Sequence, residues 1–163
     1  MSCKNGCGCS KNVILFTKTR EVRSPRKAHV EDAGIDFFVP DDFEPVVLKP
    51  HESTLIPSGI KVHIPKGKAL VGFNKSGVAS KRRLVLGACV IDSGYEDEIF
   101  INIYNTGNED AVIQSDGKAI AQFLLMDVPV LELVEISHAD YEKGRNLSEG
   151  ARGANGFGST DNA

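Results

Sequence analysis

Hydrophobic residues occur along this chain in many short runs, which polar and turn-forming residues separate. Most runs have the length of an ordinary β-strand, and none has the longer 3.6-residue period of an amphipathic helix. In the run 98–104 both sets of alternate positions carry apolar residues, so we expect a strand that is covered on both faces. The predicted strands are 12–17, 35–39, 46–48, 53–57, 60–64, 69–73, 84–91, 98–104, 111–114 and 120–134.

Glycine, proline, asparagine and aspartate separate these runs at intervals of roughly 8 to 12 residues, the spacing of an all-β sandwich, jelly roll or barrel. Only 78–83 and 139–143 favour short helices. We therefore predict an all-β domain over 12–143, with a flexible Cys-rich tail at 1–11. The segment 144–163 is glycine-rich with one aromatic, Phe157, and it is predicted to be a mobile arm that closes over a site.

Composition excludes some classes of function but does not identify one. The chain has 163 residues and a formal net charge of −3, so we expect no general attraction to nucleic acid or to an anionic membrane. It has neither an apolar run long enough to span a bilayer nor an initial run of the signal-peptide kind. These features predict a soluble, intracellular protein of the cytoplasm. Any polyanion must then be bound by a few placed residues.

Cysteine is concentrated at the start of the chain, at Cys3, Cys7 and Cys9, with Cys89 far away. A disulfide framework would spread its cysteines through the domain. The C-x3-C-x-C spacing could bind a soft metal such as zinc, although no fourth ligand stands nearby. The alternative is a reduced, flexible tail.

Two segments carry groups suited to phosphate. Lys75-Ser76-Gly77 follows an apolar run and presents a cation, a hydroxyl and an N–H together, without the spacing of a Walker loop. An ordinary turn is the alternative there. The segment 152–160 contains the groups that a nucleotide clamp needs: glycine backbone, an arginine guanidinium, two hydroxyls and a phenyl ring. The alternative is that this segment is merely a flexible tail.

Two carboxylates and one amide stand at strand positions. Asp92 ends an apolar run, where it could act as a general base on water or simply begin a turn. Asp36 lies inside an apolar stretch, so burial would require a partner such as a metal-bound water. Gln122 follows the turn at Gly117-Lys118.

Individually these signals are weak, but their order and spacing resemble the trimeric dUTP diphosphatases (dUTPases), a family with five motifs in sequence order. The matching segments span most of the chain. They are Ala33-Gly34-Ile35-Asp36, Lys75-Ser76-Gly77-Val78-Ala79, Gly87-Ala88-Cys89-Val90-Ile91-Asp92 with Tyr95, Gly117-Lys118-Ala119-Ile120-Ala121-Gln122, and Arg152-Gly153 with Gly156-Phe157-Gly158-Ser159-Thr160.

The resemblance implies a distorted jelly roll of the β-clip type and hydrolysis of dUTP to dUMP and pyrophosphate with Mg²⁺. It assigns Asp92 to the attacking water and Asp36 to the hydration shell of the metal, an outer-sphere use that suits magnesium. The implied phosphate-binding residues are Lys75, Ser76, Gly77, Gln122, Arg152, Ser159 and Thr160. The implied base- and sugar-binding residues are Leu86, Gly87, Ala88, Cys89, Val90, Tyr95 and Phe157.

The family also implies a homotrimer in which subunits share each active site and a third chain often donates the arm. The strand within 98–104 would suit a position near the threefold axis, or it is simply a core strand. Beyond dUTP and copies of itself, no nucleic-acid or membrane partner is expected.

Several residues depart from the family pattern. Lys75 stands where arginine is usual, Cys89 where glycine is usual, and Ala119 where arginine is usual, while Glu96 and Asp97 add acids after the third motif. Cys89 would be strained if that position required a positive φ. Two alternatives therefore accompany dUTP hydrolysis: a related diphosphatase acting on dCTP or a modified dUTP, and a weakly catalytic homologue that senses nucleotides or binds proteins.

Overall fold

A computed structural model describes residues 13–145, and antiparallel strands form most of its regular structure. The all-β prediction is confirmed, and so are the two short helices. The strands are β1 (Leu15–Lys18), β2 (Ile35–Phe38), β3 (Val46–Leu48), β4 (Ser53–Pro57), β5 (Ile60–His63), β6 (Lys68–Phe73), β7 (Leu84–Leu86), β8 (Val90–Asp92), β9 (Phe100–Asn105), β10 (Ala111–Ile113) and β11 (Ala119–Asp127). The helices are α1 (Ser76–Arg82) and α2 (His138–Arg145).

Two predicted strands differ from the structure. The run 84–91 is two strands, because residues 87–89 form a loop that connects β7 in one sheet to β8 in another. The run 120–134 ends at Asp127, which pairs with Lys68, the first residue of β6. Beyond that pair β11 has no partner strand, and Pro129 has no N–H to donate. Residues 128–137 have no regular secondary structure and are exposed despite their apolar character.

The strands form four small antiparallel sheets. The largest has the order β2-β11-β6-β8, and the others are β4-β9-β7, β1-β5 and β10-β3. In the four-stranded sheet Asp36 is paired with Gln122, and Gln122 is paired in turn with Phe73. This register places the predicted site residues of β2 and β11 side by side.

One hydrophobic core takes side chains from strands of all four sheets. The rings of Phe37 and Phe123 pack with their centroids 4.6 Å apart, and each side chain is almost completely buried. Only one face of β9 is buried within this chain: Ile101 and Ile103 are buried, whereas Phe100 and Tyr104 on the other face are exposed. The outer face of β9 is thus apolar without being covered by the chain itself.

The chain divides into two compact units at Pro129–Val130. The described part of the first unit contains every strand and α1. In the second, α2 begins after Ser137, whose hydroxyl accepts a hydrogen bond from the backbone N–H of Asp140. Neither α1 nor α2 is long and apolar enough to cross a membrane.

Candidate functional site

Asp36 is the centre of a charged group on the four-stranded sheet. Residues that are directly paired in an antiparallel sheet share a face, so the side chains of Asp36 and Gln122 lie on one side. The Nζ of Lys75, the residue before α1, donates a hydrogen bond to Oδ1 of Asp36 over 2.5 Å. The Asp36 side chain is only 14% exposed, and its ion pair with Lys75 provides the partner that its burial requires.

A cavity of about 620 Å³ contains this pair. It brings together five residues that the sequence predicted: Asp36, Lys75, Ser76, Gly77 and Gln122. Its charged lining consists of one carboxylate, Asp36, and five cationic residues. Such a lining on a chain of net charge −3 suits a compact anion. Besides Lys75, the cations are Lys118, which belongs to the fourth motif but was given no role, and Arg26, Lys81 and Arg82, which lie outside the motifs.

Gln122 is held by its neighbours. Its Nε2 donates a hydrogen bond of 2.8 Å to the backbone carbonyl of Asn74, directly before Lys75. Gly34 gives the amide room, because a β-carbon at that position would lie 3.2 Å from the Gln122 Cβ and closer still to its amide. Asn74, which stands where the family usually has proline, thus connects β11 to the turn that carries Lys75.

The cavity fits a metal that binds mainly through water. Among residues 13–145, no group of three or more histidine, cysteine, aspartate or glutamate side chains could enclose an ion. Asp36 alone offers a hard carboxylate oxygen. Mg²⁺ usually keeps several waters and needs only one or two carboxylates when phosphates supply other ligands. Asp36 therefore fits an outer-sphere role.

The loop between β7 and β8 is fixed at both ends. The N–H of Leu86 donates to Oδ1 of Asn74 over 2.6 Å, and the N–H of Gly72 donates to the carbonyl of Cys89 over 2.6 Å. At the exposed tip, the N–H and carbonyl of Ala88 have no hydrogen-bond partner among the described residues. A donor and an acceptor on one peptide segment can recognise a base edge.

Cys89 occupies this loop without backbone strain. Among the described non-glycine residues, positive φ occurs at His51 and Arg83 and not at Cys89. Its thiol is free and half-buried. The Cys89 Cβ packs against Gly72, where an added β-carbon would lie 3.2 Å away. The strain that the departure from glycine suggested is therefore absent.

Asp92 and Tyr95 lie at the other end of the sheet. Asp92 ends β8 and is exposed, and its carbonyl accepts a hydrogen bond from the N–H of Tyr95. The Tyr95 hydroxyl donates to the carbonyl of Glu98 over 2.7 Å. Tyr95 borders a second cavity, of about 460 Å³, together with residues of β1 and β5.

Of the two acids directly after Tyr95, Glu96 borders the second cavity and Asp97 interacts with Lys61 and with the backbone of Glu98. A hydrogen bond from the Glu98 N–H and an ion pair with Lys61, 3.0 Å away, lower the pKa of Asp97 below its ordinary value. The stability that this carboxylate contributes is present above its unfolded-state pKa and is lost as the pH falls through the lower folded pKa. Glu98 accepts a hydrogen bond from the N–H of Gly59.

One copy of the chain does not bring Asp92 to Asp36. Through Gln122 of β11, Asp36 of β2 is in register with Phe73 of β6. Asp92 of β8 pairs with Ala69, four residues further along β6 and at the opposite edge of that strand. Three strand spacings and four residues of rise correspond to a separation of roughly 20 Å. The β7–β8 loop packs against Gly72, whose side of β6 is opposite to that of Phe73.

The remaining predicted residues fall outside 13–145. These are Arg152, Phe157, Ser159 and Thr160 of the arm, together with Cys3, Cys7 and Cys9 of the tail.

The family model described as dUTPase matches residues 20–161, nearly the whole chain. The chain belongs to the dUTPase family. The resemblance that the five motifs carried is thereby confirmed.

Bacterial relatives named deoxyuridine 5′-triphosphate nucleotidohydrolase agree with this assignment. The Mycobacterium sp. (strain JLS) protein is 36% identical over 153 residues, which cover 93% of this chain and 96% of the relative. The Clostridium novyi protein is 36% identical over 150 residues, covering 90% of this chain and 97% of the relative.

Solved dUTPase structures share the fold. The Staphylococcus bacteriophage 80alpha dUTPase has a TM-score of 0.69 at 27% identity, covering 78% of this chain and 97% of its own. A variant of that enzyme with dUpNHpp has a TM-score of 0.74 at 28% identity, covering 91% and 98%. The predicted distorted jelly roll is confirmed by these dUTPase neighbours.

Proposed function

We propose that the chain hydrolyses dUTP to dUMP and pyrophosphate, with Mg²⁺ on the triphosphate. The observation that carries the proposal is the basic cavity around Asp36, in a chain of the dUTPase family. Two relatives add support: the 80alpha variant described with dUpNHpp, and a phage phi11 dUTPase variant described with a structural Mg(II) ion.

On the phosphate side, Lys75, Ser76 and Gly77 bind phosphate oxygens through an ammonium, a hydroxyl and a backbone N–H. Gln122 uses one amide hydrogen for Asn74 and keeps the other for phosphate. Asp36 would hold the hydrated Mg²⁺, which when bound neutralises charge on the phosphate oxygens.

On the base and sugar side, the segment Leu86–Val90 reads uracil, chiefly through the main chain of Ala88. Tyr95 packs beneath the deoxyribose and excludes a 2′-hydroxyl. Asp92 accepts a proton from water as the water oxygen bonds to the α-phosphorus. The bond from the α-phosphorus to the bridging oxygen then breaks, and pyrophosphate leaves with that oxygen.

In this proposal the two halves come from different subunits of a homotrimer. The separation of Asp92 from Asp36 supports this arrangement, because a single triphosphate cannot span it with both groups engaged. The outer face of β4-β9-β7 offers a surface for such contacts, with Leu55, Phe100 and Tyr104 exposed on it. The exposed apolar segment 130–136 offers another.

The arm completes the site in this proposal. Phe157 stacks on uracil, while Arg152, Ser159 and Thr160 bind the outer phosphates. Closure of the arm excludes water from the phosphates, where electrostatic stabilisation contributes most to phosphoryl transfer.

Substrate choice tests the proposed function. With Mg²⁺ present, pyrophosphate release is measured for dUTP, dCTP, dTTP and UTP. We expect kcat/KM for dUTP to exceed that for each of the others by at least about a hundredfold. The site would reject dCTP by its base edge, dTTP by its methyl group and UTP by its 2′-hydroxyl. Preferred turnover of dCTP would replace the substrate assignment, and tight nucleotide binding without turnover would favour the weakly catalytic, nucleotide-sensing alternative.

Gly34→Ala should weaken the phosphate side selectively. The new β-carbon displaces the Gln122 amide, so we expect KM for dUTP to rise several-fold with a small change in melting temperature, since Gln122 is only partly buried. Gly94→Ala is the matched control, because a β-carbon there meets no atom within 4 Å. Equal KM values for the two variants would contradict the role given to Gly34.

A further inference from the structure

Arg26 lies beside Asp36 through a backbone bridge. The N–H of Asp36 donates to the carbonyl of Arg26 over 2.7 Å, and the N–H of Arg26 donates to the carbonyl of Asp36 over 3.2 Å. Residues that exchange both hydrogen bonds are direct antiparallel partners, and their side chains share a face. Arg26, Asp36 and Gln122 therefore form one row across three neighbouring segments.

The Arg26 guanidinium has its donors available. The Asp36 carboxylate is bound by Lys75, and among residues 13–145 no hydrogen bond or ion pair involves the Arg26 side chain. The other arginine of the cavity, Arg82, donates to the carbonyl of Val112 over 2.9 Å. Arg26 is exposed and lines the same cavity as Lys75 and Gln122.

Resting on the proposed function, we propose that Arg26 is an additional binding residue for the phosphate chain of dUTP and for the pyrophosphate product. Its planar guanidinium can contact two phosphate oxygens at once, whereas the ammonium of Lys75 acts as a point charge. The backbone bridge fixes Arg26 next to Asp36, so both residues face the same phosphates. Arg26 lies outside the five motifs.

The test compares Arg26→Gln with Lys27→Gln in the full-length chain. Lys27 is the adjacent cation. It borders a neighbouring apolar cavity and does not line the cavity around Asp36. Calorimetry measures binding of pyrophosphate with Mg²⁺, and kinetics give KM for dUTP and inhibition by dUMP. For Arg26→Gln we expect about tenfold to hundredfold weaker pyrophosphate binding and a similar rise in KM, the scale of one charge-assisted contact.

The pattern across ligands decides the proposal. Inhibition by dUMP should stay within about twofold of the parent, because dUMP lacks the phosphates that Arg26 contacts. Arg26→Lys should restore part of the pyrophosphate affinity and show that the fold is intact. Unchanged pyrophosphate binding in Arg26→Gln, or an equal loss in Lys27→Gln, would overturn the proposal. Absence of dUTP turnover in the parent would refute the proposed function, while calorimetry would still decide the role of Arg26.

Discussion

Asp92→Asn is expected to lower kcat for dUTP hydrolysis by about 10²- to 10⁴-fold, the contribution of a positioned general base. Asparagine keeps the size of the side chain at the end of β8 but cannot accept the proton of the attacking water. Because Asp92 binds no phosphate in the proposed site, KM should change little. Single-turnover kinetics with dUTP and Mg²⁺ measure the loss at the chemical step.

Asp97→Asn provides the matched control. Asp97 lies in the turn that follows Asp92, is exposed, and interacts with Lys61 and the Glu98 N–H rather than with the site. Its kcat should stay within about threefold of the parent, as expected for a surface substitution. If Asp92→Asn kept the parent rate, the base would have to be another group.

Mixed assemblies of two inactive variants are expected to regain activity. Asp92→Asn and Asp36→Asn each inactivate a homotrimer, but a mixed trimer has one interface at which Asp92 and Asp36 are both intact. For random mixing of equal amounts, about a quarter of the parent activity should return, as the statistics of a cyclic trimer require. The measurement is dUTP turnover after joint refolding of the two chains.

The control for this experiment joins both substitutions in one chain and mixes it with Asp92→Asn, a combination that contains no complete interface. No recovery is expected there. If the two single variants also failed to complement each other in trimers of confirmed mixed composition, both residues would have to act within one chain. The separation of roughly 20 Å across β2, β11, β6 and β8 would then have to close on binding.

Five residues that the sequence predicted line one cavity, and they could be predicted because they follow short-range patterns. Lys75, Ser76 and Gly77 are consecutive, and Asp36 and Gln122 occupy strands whose apolar neighbours fix which face they show. The same periodicity predicted most strands. These features depend on local spacing, which a sequence displays directly.

The features that it missed depend on pairing. Arg26 belongs to no strand, and only its bridge to Asp36 places it at the site. The end of β11 follows from the end of its partner β6, so the apolar run beyond Asp127 was a wrong strand prediction. The outer face of β9 was predicted to be covered because its residues are apolar, but in this chain Phe100 and Tyr104 are exposed. An apolar pattern indicates a covered face without saying whether the same chain covers it.

The hydrogen bond from the Leu86 N–H to Asn74 has a wider meaning in a threefold assembly. Asn74 supports the phosphate cavity of its own subunit, while the loop that Leu86 begins would read the base bound at the next cavity. In the proposed trimer each subunit would contribute to two neighbouring active sites, and the hydrogen bond between Leu86 and Asn74 would connect the two contributions. Every active site would then be linked through such a contact to both of the others. A substitution at Asn74 would therefore alter two centres at once, one through its phosphates and the other through its base.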